Sequence, residues 1–167
     1  NYFCPQRLSP SEALLQKKRL MIKDGAISDD VKRAINSAFS FAMRGHRFPF
    51  SSYSSAETVL WPGCALSGTS PEIVKKTVGI LDRHLNKKVG LALDCCFDPA
   101  YQIGDLDAVK AASERISERL KRQKINHVIT GCANCKKIFS LYMPEIKIEH
   151  ILETLPANFA LQTYNFE

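Results

Sequence analysis

The alternation of short apolar runs with helical segments from residue 57 onward constrains the fold more than any other feature of the sequence. Apolar runs at 58–61, 89–93, 125–130 and 146–148 have the length of buried strands. Between these runs, apolar residues recur at helical spacing. Strands that alternate with helices predict a parallel sheet covered on both faces, with right-handed crossovers. We therefore expect an α/β fold with a parallel sheet of about four strands flanked by helices.

Residues 1–56 follow a different pattern and predict a helical arm that precedes a Rossmann-like domain at 57–167. Helical spacing begins after Ser9 and stops at Gly25. A second helix is expected to begin after Ser28, whose side chain suits an N-cap. The sequence therefore predicts two parts, the arm and the α/β domain.

Positive charge is concentrated in the arm. The arm holds nine Lys or Arg against four Asp or Glu, whereas residues 57–167 hold fourteen against thirteen. A basic arm can bind nucleic acid or an acidic protein. No nucleic-acid motif accompanies the charge, so we expect a protein partner and no nucleic acid, with a solvated helix surface as the alternative. The Ser-rich stretch 47–55 is expected to be a linker.

The composition is that of a folded globular protein, with 45% hydrophobic and 24% charged residues. The longest apolar stretches are far shorter than the roughly 20 residues that a membrane helix needs, so no transmembrane segment is expected. The first residues carry neither methionine nor a signal-peptide pattern. We expect a piece of a longer protein, placed in the cytoplasm because reduced cysteines persist there.

Five of the six cysteines follow the ends of the first three predicted strands. Cys64 follows the first strand, the adjacent pair Cys95 and Cys96 follows the second, and Cys132 with Cys135 follows the third. The pattern is C-x30-CC-x35-CxxC, in which each long gap fits one helix plus one strand. The carboxyl ends of parallel strands meet at one edge of a sheet, where ligands bind. We therefore expect these five thiols to converge there.

Several kinds of chemistry fit converging thiols. Thiolates are soft ligands that suit iron–sulfur clusters and zinc, and a structural zinc site would use four of them. Disulfides or inert buried thiols are further alternatives. A redox-active Cys132–Cys135 pair is also possible, although this interpretation leaves Cys64 and the Cys95–Cys96 pair unexplained.

The cysteine motifs resemble those of a known family. With Pro62-Gly63-Cys64 first and Gly131-Cys132-Ala-Asn-Cys135 last, the pattern is similar to the cysteine-rich CCG domain. That domain occurs in one subunit of heterodisulfide reductase, in the iron–sulfur subunit of glycolate oxidase and in related lactate-utilisation and succinate dehydrogenase subunits. The resemblance covers roughly residues 57–155.

The resemblance implies a cofactor and a class of function. By likeness to the family, a non-cubane 4Fe-4S cluster is expected to have as its ligands Cys64, Cys95, Cys96, Cys132 and Cys135. The chain would then belong to an iron–sulfur oxidoreductase that transfers electrons or reduces a disulfide-like acceptor. Its partners would be other redox subunits of the flavoprotein or ferredoxin type. A zinc-bound or metal-free assembly domain is the alternative.

The sequence departs from the family in two respects. Where the family has glycine after the adjacent cysteines, this chain has Phe97, which lacks the freedom of glycine to adopt a positive φ. The family also commonly carries two such domains and this chain has one, so we expect the isolated chain to be a poor enzyme. The Cys4-Pro5 pair resembles the end of a ferredoxin motif, with a lone surface thiol as the alternative.

Other polar residues near the cysteines are weaker candidates. His150 falls at the expected cysteine edge and would support the metal site or simply pack. Asp94 and Asp98 flank the cysteine pair and would donate protons or, as we favour, cap and turn the chain. His84 and His127 are expected to be surface or packing residues.

Overall fold

The computed structural model describes residues 9–31 and 56–155, together with Pro5 and four positions between 33 and 40. Its elements are α1 (Pro10–Lys23), β1 (Thr58–Trp61), α2 (Cys64–Thr69), α3 (Pro71–Leu85), β2 (Val89–Leu91), α4 (Asp98–Ile103), α5 (Leu106–Arg122), β3 (His127–Thr130), α6 (Ala133–Tyr142), β4 (Lys147–His150) and α7 (Ile151–Thr154). Helical residues also occur from Asp29 onward, in the predicted second helix. Cys4 and the predicted linker lie outside the described residues.

The four strands form one parallel sheet in the order β2-β1-β3-β4. Their register aligns Trp61 with Thr130 and Thr130 with His150, so the carboxyl ends of β1, β3 and β4 share one edge. The predicted α/β fold with a parallel sheet of four strands is confirmed. Because the chain builds β2 on one side of β1 and β3 on the other, the order reverses between β1 and β3. Parallel sheets place their ligand crevice at such a switch point.

Helices cover both faces of the sheet. Val59 and Trp61 of β1 pack in the core formed with α5 and α6. Leu60, between them in sequence, packs with Val74 and Leu81 of α3 on the other face. Successive strand residues point to opposite faces, which is why a run of apolar residues signals a strand buried on both sides.

Three strands differ in their bounds from the prediction, among them β4, which begins at Lys147 rather than at residue 146. β2 ends at Leu91 rather than at residue 93, because its neighbour β1 ends before Pro62, which has no N–H for a ladder hydrogen bond. The last main-chain bond across this pair runs from the N–H of Ala92 to the oxygen of Leu60, at 2.8 Å. β3 begins at His127 rather than at residue 125.

Helix α1 of the arm lies against the α/β domain at the turn after α4. The Lys18 ammonium donates to the main-chain oxygen of Gln102 at 2.8 Å. Gly104 has a φ of 91°, and a Cβ at this position would lie 2.7 Å from the Arg19 nitrogen. The contact between the two backbones therefore requires glycine at this turn. None of the helices in the described part of the chain is long and apolar enough to cross a membrane.

Candidate functional site

The five predicted site cysteines all lie just beyond the carboxyl ends of strands. Cys64 is the first residue of α2, which follows β1 closely. Cys95 and Cys96 lie in the loop between β2 and α4. Cys132 is the N-cap residue of α6, and Cys135 lies in the first turn of that helix. All five are free thiols.

The thiols contact one another across three loops. The Cys95 thiol donates a hydrogen bond to the Cys64 sulfur, which joins the loops after β1 and β2. The Cys135 thiol donates to the Cys96 sulfur, which joins the loop after β2 to α6. Cys135 also contacts Cys132. The contacts therefore form two groups, Cys64 with Cys95 and Cys96 with Cys135 and Cys132, and the two groups are linked because Cys95 and Cys96 are adjacent in sequence.

The thiols contact one another in pairs and do not surround a common centre. In residues 9–31 and 56–155, no group of three or more His, Cys, Asp or Glu side chains is already arranged to hold a metal ion. A metal draws its ligands to a common centre at about 2.3 Å from each sulfur. Metal binding would therefore require the thiols to turn away from their present pairwise contacts.

Two glycines bring the loops after β1 and β3 together at the switch point. A Cβ on Gly63, where φ is 86°, would lie 2.8 Å from the Cys132 Cβ and 3.7 Å from the sulfurs of Cys132 and Cys135. A Cβ on Gly131 would lie 2.9 Å from the Pro62 oxygen. Any larger residue would push these loops apart. The sequence showed only that each of these glycines precedes a cysteine, and it gave no sign of the close contact between the two loops.

Hydrogen bonding divides each contacting pair into an acidic and a weakly acidic thiol. The bond from Cys95 lowers the pKa of Cys64 to about 6. The same bond, together with burial, raises the pKa of Cys95. The bond from Cys135 likewise lowers the pKa of Cys96, and that bond and burial raise the pKa of Cys135. Since Cys64 is also exposed, it is the most reactive thiol expected in the metal-free chain.

Alkylation of Cys64 in the reduced, metal-free chain should therefore follow a titration with a midpoint near pH 6, because only the thiolate reacts. The rate should fall below that pH as Cys64 gains its proton. A Cys95→Ala variant lacks the donating thiol, and its midpoint should move toward the ordinary value of about 8.5. Iodoacetamide labelling followed by peptide mass spectrometry measures both profiles. Cys132→Ala is the matched control, and equal midpoints in all three proteins would contradict the assignment.

Phe97 adopts the backbone conformation that was expected to need glycine. Its φ is 65° and its ψ is 20°, so the prediction that a side chain here denies the loop a positive φ is wrong. The left-handed conformation costs an L-residue about 1–2 kcal/mol. The ring is only 2% exposed and packs with Cys95 and Ala112, which stabilises by a similar amount, about 1.5–3 kcal/mol. The Arg115 guanidinium lies 5.9 Å from the ring centre.

Carboxylates hold both ends of the loop that carries the adjacent cysteines. Asp94 accepts a hydrogen bond from the Cys95 N–H at 2.7 Å and lies 3.7 Å from Arg119 of α5. Asp98, the first residue of α4, accepts from the Lys137 ammonium of α6 at 2.7 Å. Neither basic partner was predicted, because residues far apart in sequence meet here only through the fold.

Each histidine in the described part of the chain has a hydrogen-bond partner within the protein. Nδ1 of His150 accepts from the Leu152 N–H at 3.3 Å, and Glu153 accepts from the His150 N–H, so His150 caps α7. His127 is buried at the opposite end of β3 from the cysteines, and its Nε2 lies 2.7 Å from Glu149. His84 is exposed on α3.

The chain matches no protein-family model, and no curated protein or solved structure matches it significantly. The likeness to the CCG domain therefore depends on the cysteine spacing in the sequence.

Proposed function

We propose that residues 57–155 form an iron–sulfur redox domain whose five strand-end cysteines hold a non-cubane 4Fe-4S cluster. The observation that carries this proposal is the set of thiol contacts joining three separate loops at one edge of the sheet. Five soft sulfur donors at this switch point suit an iron–sulfur cluster better than they suit hard metal ions. The ligands would be Cys64, Cys95, Cys96, Cys132 and Cys135.

The remaining residues would shape the environment of these ligands. A bound cluster supplies electron-transfer chemistry. Gly63 and Gly131 allow the thiol-bearing loops to approach each other. The Phe97 ring packs on Cys95 and shields that thiol from water, whereas Cys64 is exposed to solvent. A redox partner would therefore approach from the side of Cys64.

The proposed activity is electron transfer within a larger cytoplasmic oxidoreductase. Electrons would pass between a partner of the flavoprotein or ferredoxin type and an acceptor, including a disulfide-like one. The net positive charge of residues 1–56 would favour an acidic partner surface. Because proteins of the CCG family, which the chain resembles, often use two such domains, the isolated chain would have little turnover alone.

A zinc-bound or metal-free assembly domain is the second candidate. The pairwise thiol contacts favour its metal-free form, because in the described ranges no group of three or more His, Cys, Asp or Glu side chains already surrounds a common centre, as zinc or a cluster would need. Zinc would need only four of the five thiolates.

Anaerobic reconstitution with iron and sulfide separates the candidates. The reduced chain is incubated with iron and sulfide, with zinc, or with all three, and is then desalted. We expect about four irons and four acid-labile sulfides per chain, with an electron paramagnetic resonance signal that changes on reduction or oxidation. Retention of zinc alone supports the second candidate. Retention of neither metal overturns the iron–sulfur proposal.

A further inference from the structure

The loop between β2 and α4, residues 92–97, carries two of the five thiols in buried positions. Cys95 is 4% exposed and Cys96 is 5% exposed. At this exposure a reagent has little access to the two side chains while the loop is in place. Reaction at these thiols therefore requires a local opening of the chain.

Ion pairs at its two ends attach this loop to two different helices. At the inner end, Asp94 is 3.7 Å from Arg119 of α5, and the Asp94 side chain is only 2% exposed. At the outer end, Asp98 is 2.7 Å from Lys137 of α6, and the Lys137 side chain is 36% exposed. The outer pair is therefore the one that solvent and salt reach most easily.

The surroundings of Lys137 keep its ammonium in place and leave it accessible. The Nζ atom lies 4.6 Å from the centre of the Tyr101 ring, a cation–π contact. Gln102 donates to both carboxylate oxygens of Asp98 at 3.3 Å. Lys137 lines a cavity of about 520 Å³ beside α1 and another of about 620 Å³ beside α7. Breaking this pair would leave the Asp98 carboxylate with the neutral Gln102 amide as its side-chain donor among the described residues.

Strain within the loop favours its opening. The backbone of Phe97 is held in the left-handed region, at φ 65°. Opening of the loop would let this residue return to an unstrained conformation. Burial of the ring and the two ion pairs oppose this release. A strained segment attached at both ends is expected to open when one attachment is lost.

We propose that the Asp98–Lys137 ion pair is a latch that holds residues 92–97 in place and so keeps their Cys95 and Cys96 side chains buried. Release of the latch exposes the two thiols, so Lys137 is a positioning residue that sets how fast they can be reached. The part of this inference that concerns metal entry rests on the proposed function. The part that concerns access to the thiols applies to the metal-free chain and does not depend on that function. Lys137 lies two residues after Cys135, so the latch also holds the adjacent cysteines against α6.

The latch is tested on the reduced, metal-free full chain with N-ethylmaleimide and peptide mass spectrometry. Lys137→Met should speed the labelling of Cys95 and Cys96 about tenfold, as expected when a largely buried carboxylate loses its ion-pair partner. Lys137→Arg should keep labelling slow, because it retains the charge. Lys136→Met is the matched control, since Lys136 pairs with Glu153 instead and its loss should leave the rate unchanged.

Salt dependence separates a latch from a general structural role. Raising the ionic strength should speed labelling in the parent chain, because salt screens the Asp98–Lys137 ion pair. It should not speed labelling in Lys137→Met, which lacks this ion pair. Equal labelling rates in the parent and Lys137→Met would overturn the latch. Faster labelling accompanied by an equal loss of global stability in urea would also overturn it.

Metal uptake distinguishes failure of the latch from failure of the proposed function. With the latch, Lys137→Met should take up iron and sulfide faster than the parent chain. If neither protein retains iron while the labelling results hold, the iron–sulfur proposal fails and the latch stands. If both proteins take up iron at equal rates, and if Cys95 and Cys96 are labelled at equal rates in both, the latch fails and the cluster proposal stands.

Discussion

Replacing Cys135 by serine should reduce the retention of iron and sulfide by more than about tenfold. Cys135 is buried and contacts both Cys96 and Cys132, so it connects the CxxC motif to the other thiols. A serine oxygen is a hard donor and a poor substitute for a thiolate on iron. Even the loss of a group that only orients a ligand typically costs 10–100-fold in metal affinity. Iron and sulfide analysis after anaerobic reconstitution measures the effect.

The controls distinguish the cluster from a zinc site. Cys4→Ser removes the sixth cysteine, which is not a predicted ligand, and should retain the parental iron content. Cys64→Ser should lose iron as Cys135→Ser does. A zinc site uses four thiolates, so at least one of the five single serine variants would then keep full metal content. Parental iron content in Cys135→Ser would exclude Cys135 as a ligand.

Phe139→Ala should lower the free energy of unfolding of the metal-free chain by about 3–5 kcal/mol. Phe139 is completely buried on α6, and its ring meets Trp61 edge-on with centroids 4.7 Å apart. The core on both faces of the sheet consists mainly of apolar side chains, so folding should not depend on metal. Urea unfolding of the reduced, metal-free protein, followed by circular dichroism, measures the difference.

Leu141→Ala is the matched control for this substitution. Leu141 lies on the same helix and is 58% exposed, so its truncation should cost less than about 1 kcal/mol. Both variants and the parent should unfold cooperatively without metal. A chain that gains structure only with iron and sulfide would show instead that the metal is part of the core.

The sheet could be predicted because its sequence signals are local. Each strand is a short apolar run, and the helices between the strands carry apolar residues at helical spacing, as Val109 and Ile116 do on α5. The N-cap of α5 is equally local, since the Asp105 side chain accepts a hydrogen bond from the Ala108 N–H three residues later, at 3.0 Å. Such features depend on residues close together in the chain.

The details around the cysteines could not be predicted from local patterns. Helices α2 and α4 have six residues each and are too short for a periodic signal. The Asp98–Lys137 pair joins residues from separate helices. The conformation of Phe97 depends on a buried pocket that exists only after α5 has packed, so residue preference alone suggested the opposite.

The left-handed Phe97 has a consequence for how related chains are recognised. A search pattern that demands Cys-Cys-Gly would pass over this chain, although its backbone turns at this position as glycine would allow. In this chain a well-packed aromatic ring occupies a left-handed turn that glycine would also permit. A pattern based on cysteines at the ends of successive strands, with the following residue left free, would include both chains with glycine at this turn and chains with a bulky side chain there.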